Sequence, residues 1–275
     1  MHIRAMLILF SMILPGSALA GDHYPQRIVS LKPNVTDIVY ALGAGEELVG
    51  VTRYCDIPAG AKKPEIVGDY AQAFVERIVA QGPTIVIGSM ENSSRRSIES
   101  LERMGMRVEM FPFTTLAETL DSIRGIGEAL ERPDDGRKLA ARIEEKLGAL
   151  KKRWSAEKPV KAVVVWGLKP LIVAGHGTYM DEMMEFIGTE NAVRATKVKY
   201  PRIGLEELIS MDPEAIVDLS MGSEGDGQDA RPWKGVGQIM AVRNGRIVRL
   251  DASRFRAGPL LPEALEKLAG LIHKR

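Results

Sequence analysis

The residues best suited to chemistry in this chain are ones that hold a ligand rather than transform it. Tyr54, Tyr70 and Tyr200 lie in stretches rich in Gly, Pro and Asp, where burial of a ring in a core is not expected. Each offers a flat apolar face and a hydroxyl, which suits a large planar ligand with polar edges. Arg53, Asp69, His176, Tyr179 and Arg202 also follow apolar runs that read as strands, the places from which side chains reach a crevice in an α/β fold. Catalytic signatures are absent: there is no G-x-S-x-G elbow, no H-E-x-x-H and no phosphate-binding G-x-x-x-x-G-K-[ST], and Gly43 and Gly45 close a helix instead of opening one. Asp37 and Asp181 begin helices, where stabilisation of the helix dipole accounts for them. Cys55 and His176 are the only unusual candidates for a nucleophile or base, and Cys55 reads as a small, partly buried residue. A single cysteine builds neither an internal disulfide nor a Cys-rich metal site, and the four histidines, at positions 2, 23, 176 and 273, are dispersed. Neither a metal site nor an enzyme is expected.

Short apolar runs alternating with amphipathic stretches must position these side chains. In the first half, Arg27–Leu31, Leu48–Thr52, Thr84–Gly88 and Arg107–Phe111 read as buried strands, with helices over Val35–Leu42, Phe74–Gln81 and Ser93–Met104. Continuous apolar strands between helices predict a parallel sheet covered on both faces. A second series of the same class follows Pro159: strands at Lys161–Trp166, Leu171–Ala174, Ala215–Leu219 and Arg246–Leu250, with helices over Tyr179–Ile187, Leu205–Met211 and Pro262–His273. Between the halves, Leu139, Ile143, Leu147, Leu150 and Trp154 recur at helical spacing, which predicts one long amphipathic helix over Asp134–Trp154.

An internal repeat sets the architecture. Val75–Ile87 lies on Leu205–Val217 at a constant offset of 130, giving in both a glutamate at a helix start, an apolar pair, a proline after the helix and a buried strand. Two Rossmann-like α/β lobes, 24–132 and 158–275, joined by a single stiff helix over 133–157, are therefore expected, with a ligand crevice between them.

Composition narrows the class. With Lys+Arg at 37 and Asp+Glu at 36 among 275 residues, no basic surplus is available for neutralising a nucleic acid. Residues 1–20 carry Arg4, an apolar run from Met6 to Leu14, Pro15-Gly16 and the small-residue ending Ala18-Leu19-Ala20, the pattern of a cleavable export signal. No cysteine follows it, so a lipid anchor is not indicated.

Several segments together carry a resemblance to a family: RIVSLKPNVTDIVYALGAGEELVG at 27–50, VTRYCDIP at 51–58, the two glutamate-containing repeats, FIGTENAV at 186–193 and GRIVRL at 245–250. The chain resembles the helical-backbone class of periplasmic substrate-binding proteins, which serve ATP-binding-cassette importers of cobalamin, haem and ferric siderophores. Tyr54-Cys55-Asp56-Ile57-Pro58 looks most like the cobalamin-binding members. The resemblance implies a monomeric periplasmic protein that captures a corrinoid as transported ligand, without a cofactor, and presents it to a permease and its ATPase. It places Tyr54, Tyr70 and Tyr200 around the corrin, and Glu76 and Glu206 as exposed glutamates, one per lobe, docking on permease arginines. The alternative is a haem or ferric-siderophore binder, with Tyr54, Tyr70 or His176 on iron and Arg53, Arg202 or Arg254 facing carboxylates. A single helical connector also implies modest closure on binding.

Overall fold

The computed structural model describes residues 26–69, 72–91, 95–193, 196–220 and 231–273. Tyr70, the proposed export signal and most of the Gly/Asp-rich loop at 220–231 lie outside them.

The first lobe is a five-stranded parallel sheet of β1 (Ile28–Ser30), β2 (Leu48–Thr52), β3 (Glu65–Gly68), β4 (Ile85–Ser89) and β5 (Val108–Phe111), in the order β3-β2-β1-β4-β5. Its helices α1 (Pro33–Ala41), α2 (Val75–Ala80) and α3 (Arg95–Arg103) cover both faces. The strands read as unbroken apolar runs because both faces are buried. Ile85 and Ile87 point into the largest core, whereas Val86 joins Val29, Val67 and Ile78 in a separate outer layer.

Two antiparallel helices come next, α4 (Leu116–Ala129) and α5 (Pro133–Trp154). The 22-residue α5 is the long helix expected from the sequence. Helix α4 has no counterpart among the sequence-based expectations, because Gly125 and Gly127 weaken its helical signal. Its start was nevertheless legible. Thr115 accepts the amide of Glu118 at 3.2 Å, the first half of a capping box, while the Glu118 carboxylate takes the Thr114 amide at 2.9 Å instead of that of the cap. The glycines let the pair approach: a Cβ on Gly127 would fall 2.8 Å from the Gly136 Cα. Gly127→Ala is accordingly expected to cost about 1–3 kcal/mol, because it forces two backbones apart, and chemical denaturation measures it.

The second lobe contains β6 (Val160–Leu168), β7 (Leu171–Val173), α6 (Tyr179–Glu185), β8 (Thr189–Asn191), α7 (Leu205–Met211), β9 (Ala215–Asp218), α8 (Met240–Arg243), β10 (Ile247–Arg249) and α9 (Leu261–Ile272). Its sheet runs β10-β9-β6-β7, with β8 also on β6. One strand departs from the parallel arrangement: β7 returns antiparallel to β6 through a hairpin at Lys169-Pro170, a connection too short for a parallel crossover.

The repeat is expressed in three dimensions. Helix α2 leads into β4 and α7 into β9, and positions 130 apart share a register: Ile85 pairs with Ile28 of β1, and Ala215 with Ala162 of β6. One continuous core joins the lobes. It includes Ile28, Ile38 and Ile87 of the first, Ile143 and Leu147 of α5, and Val164, Val217 and Leu265 of the second. The end of α5 is held as well: Trp154 stacks on His273 with centroids 4.3 Å apart, and the His273 ring meets the Ile187 carbonyl at 2.7 Å.

Candidate ligand-binding site between the lobes

In each lobe the chain changes direction across the sheet beside its first strand, between β1 and β4 and between β6 and β9. Crevices open outside the carboxyl ends of strands at such switch points. In the first lobe those ends lead to Lys32 and to Met90 and Glu91; in the second they lead to Leu219 and Ser220.

Lys32 is half-buried at the start of α1, where the positive end of the helix dipole also disfavours its charge. Burial pushes its ammonium below the usual lysine range, partly offset by Glu91. Glu91 is held in place by the Ser89 hydroxyl and by the Phe113 amide, the latter at 3.1 Å. Met90 is 61% exposed beside this pair. In the second lobe, Asp218 is fully buried: Oδ1 accepts the Ser220 amide at 3.0 Å and hydroxyl at 2.6 Å, and Oδ2 lies 3.3 Å from Arg249. Lys32, Glu91, Asp218 and Arg249 escaped the sequence reading. Their available signal was position directly after or at the end of an apolar strand, which the reading applied to other strands.

The residues expected to line the site separate into groups. Tyr54 and Arg53 follow β2 and are exposed, and Asp69 follows β3, its carboxylate accepting the Gln72 amide at 3.0 Å. Tyr200 is 44% exposed and meets the ring of Trp166 edge-on, with centroids 6.4 Å apart. Trp166, read only as the end of a strand, is therefore the aromatic partner of Tyr200. Arg202 bridges to Ile172 of β7, so the segment carrying Tyr200 runs along that strand.

His176 follows β7 and lies 3.5 Å from Asp181, whose other oxygen holds Asn191 at 2.8 Å, while the amide of the preceding Gly175 donates to the carbonyl of Lys199, next to Tyr200, at 2.8 Å. Tyr179 is corrected: it lies in α6 against the shared core, its hydroxyl sealed from solvent. Asp181 does stabilise a helix start, accepting the Gly177 amide at 2.8 Å. Asp37 does not; it is the fifth residue of α1, directed at Arg256. Cys55 accepts from Thr36 at 3.0 Å and contacts the Thr52 hydroxyl at 3.2 Å, and burial pushes its thiol up, the wrong direction for a nucleophile.

Glu76 and Glu206 are each the second residue of their helix, both exposed, and neither forms an ion pair with a described residue. No group of three His, Cys, Asp or Glu among the described residues is arranged to hold a metal, and none of their helices is long and apolar enough to cross a membrane.

Two lobes of one repeat, a helical connector and a site at paired switch points belong together in one description, and the sequence matches that of the periplasmic binding proteins over residues 28–253. The chain belongs to that family. Members are ligand-capturing components of importers, not enzymes. A vitamin B12-binding protein of Vibrio campbellii is 30% identical to this periplasmic binding protein over 227 residues, 82% of each chain. The solved structure of BtuF, the periplasmic vitamin B12-binding protein of Vibrio cholerae, matches it with a TM-score of 0.77 at 26% identity, over 90% of this chain and 97% of its own. The apo form of RhuT, a periplasmic haem-binding protein from Roseiflexus sp. RS-1, matches with a TM-score of 0.82 at 27% identity, over 91% and 98%.

Proposed function

We propose that this protein captures cobalamin or a related corrinoid between its lobes and delivers it unchanged to the permease and ATPase of an importer. The observation that carries the proposal is the Trp166–Tyr200 pair at the carboxyl-terminal part of β6, in a chain whose relatives include vitamin B12-binding proteins. Aromatic faces suit the apolar plane of a corrin, and Tyr54 and Tyr70 are assigned to the same wall. The corrin rim carries primary amides, which both donate and accept. Lys32 beside Glu91 supplies a donor and an acceptor together, as do Arg53 and Asp69. Haem, with two carboxylates, asks instead for cations. The haem reading is supported by the fold matches to haem-binding proteins.

Titration with cyanocobalamin and, separately, with haem distinguishes the two. Micromolar or tighter binding of cyanocobalamin is expected, with Trp166→Ala weakening it about tenfold, the equivalent of about 1.4 kcal/mol. A chain that bound haem and ignored cyanocobalamin would overturn the corrinoid assignment.

The same proposal assigns lobes to 24–132 and 158–275, the connector to 133–157 and an export signal to 1–20. The shared core running through both lobes supports modest closure on loading, since a wide rotation would tear apart close packing.

A further inference from the structure

One guanidinium ties the lobes together at the loop that carries Tyr54. Arg256 follows the 3-10 turn Ala252–Phe255 of the second lobe. Its Nη1 lies 3.0 Å from Asp56 Oδ2 and 3.7 Å from Asp37 Oδ2, and its Nη2 donates to the Tyr54 carbonyl at 3.3 Å. All three acceptors belong to the first lobe, on α1 and on the loop after β2.

The arginine is preset for this reach. Its backbone is extended, at φ −64° and ψ 147°, so neighbouring side chains alternate in direction. Phe255 and Ala257 are buried in the shared core, which leaves Arg256 directed at the loop. The loop is anchored on its own lobe as well, through Cys55 between Thr36 and Thr52 and through Ile57 against the core. Tyr54 therefore stands between two anchors, one from each lobe, with its side chain half in solvent.

Resting on the assignment of Tyr54 to the cargo wall, we propose that Arg256 is a positioning residue for cargo capture, a cross-lobe clasp whose grip on the Tyr54 carbonyl and Asp56 sets the pose of the Tyr54 ring. The motif Tyr54–Pro58 then works as a unit: one residue faces cargo, one anchors inward and one is gripped from the opposite lobe.

The clasp has a pH signature. Burial pushes the Asp37 carboxyl up to about 6 despite the attraction of Arg256, and Asp56 adds repulsion. Arg142 and Lys146 of α5, Glu263 of α9 and Tyr40 of α1 line the same cavity of about 600 Å³. A carboxyl raised above its unfolded value is costly in its ionised form. That cost is present above pH of about 6 and fades as the pH falls through that value towards 3.8. Arg256 offsets the cost, so it matters most at neutral and higher pH.

Hydrogen exchange of the ligand-free full chain reads the clasp directly. Arg256→Met is expected to speed exchange of the amides at 54–57 about tenfold at pH 7.5, and by less at pH 5 after correction for intrinsic rates. Arg256→Lys should fall between, because an ammonium does not span three acceptors. In cyanocobalamin titrations Arg256→Met is expected to weaken binding about tenfold in the otherwise natural chain and to add nothing to Tyr54→Ala. Unchanged exchange in Arg256→Met overturns the clasp. Equal loss of affinity with and without Tyr54→Ala overturns the positioning role, since a merely structural effect adds. Failure of the natural chain to bind cyanocobalamin would count against the corrinoid assignment, and the exchange experiment would still decide the clasp.

Discussion

Glu76→Ala combined with Glu206→Ala is expected to abolish uptake through the partner importer while leaving cargo affinity unchanged and the chain folded. Neither carboxylate pairs with a described residue, and each sits exposed in the first turn of a short helix. Each removal therefore costs the fold about 0.3–1 kcal/mol of dipole stabilisation. At a docking interface the balance differs. Truncating one partner of a buried charge pair costs about 2–5 kcal/mol, so losing both, at least about 4 kcal/mol, weakens docking by roughly 700-fold or more. Each single variant should retain partial uptake, since the repeat supplies one contact per lobe. Labelled-cobalamin uptake into proteoliposomes carrying the permease and ATPase, beside equilibrium titration of the same proteins, separates the effects. Uptake at the natural rate by the double variant would remove the docking role.

The largest loss of stability is expected from Asp218→Ala. Positions 88 and 218 are 130 apart, at the same register of their lobes, yet they differ in kind. Gly88 faces Met110 across β4 and β5, whereas Asp218 faces Arg249 across β9 and β10. Asp218 is fully buried and the Arg249 side chain only 12% exposed. Removing the carboxylate takes the buried acceptor of two Ser220 donors and the buried counter-charge beside Arg249, a loss of about 3–5 kcal/mol. At about 2–4 °C per kcal/mol for a chain of this size, the melting temperature should fall by roughly 6–20 °C. Asp218→Asn keeps an acceptor for Ser220 and should lose about half as much. Thermal unfolding followed by far-ultraviolet circular dichroism measures both, and an unchanged midpoint in Asp218→Ala would show that the pair contributes nothing net.

The elements legible in the sequence were those whose signal is local. β1, β4, β6 and β9 are continuous apolar runs because both their faces are buried, and α5 shows its stripe because one face meets the core. β3 and α4 were missed because one offers only Ile66-Val67 as an apolar run and the other carries two glycines in its second half. The antiparallel course of β7 was not legible because a strand's direction is not written in its composition. Asp37 looked like a helix-start residue because helix ends are uncertain by a residue or two from sequence.

The sequence alone determined the α/β class, the two lobes and the long connector, together with the paired glutamates and the tyrosines set in loops. Hydrophobic periodicity and an internal repeat act over short stretches, and they survive whatever the chain packs against. The tertiary structure alone decided that β7 runs antiparallel to β6, that Trp166 meets Tyr200, that Asp218 holds Arg249 and that Arg256 grips the loop of Tyr54. Those pairings join residues up to about 200 positions apart, and their energies depend on burial and distance, which exist only after the lobes have closed on one core.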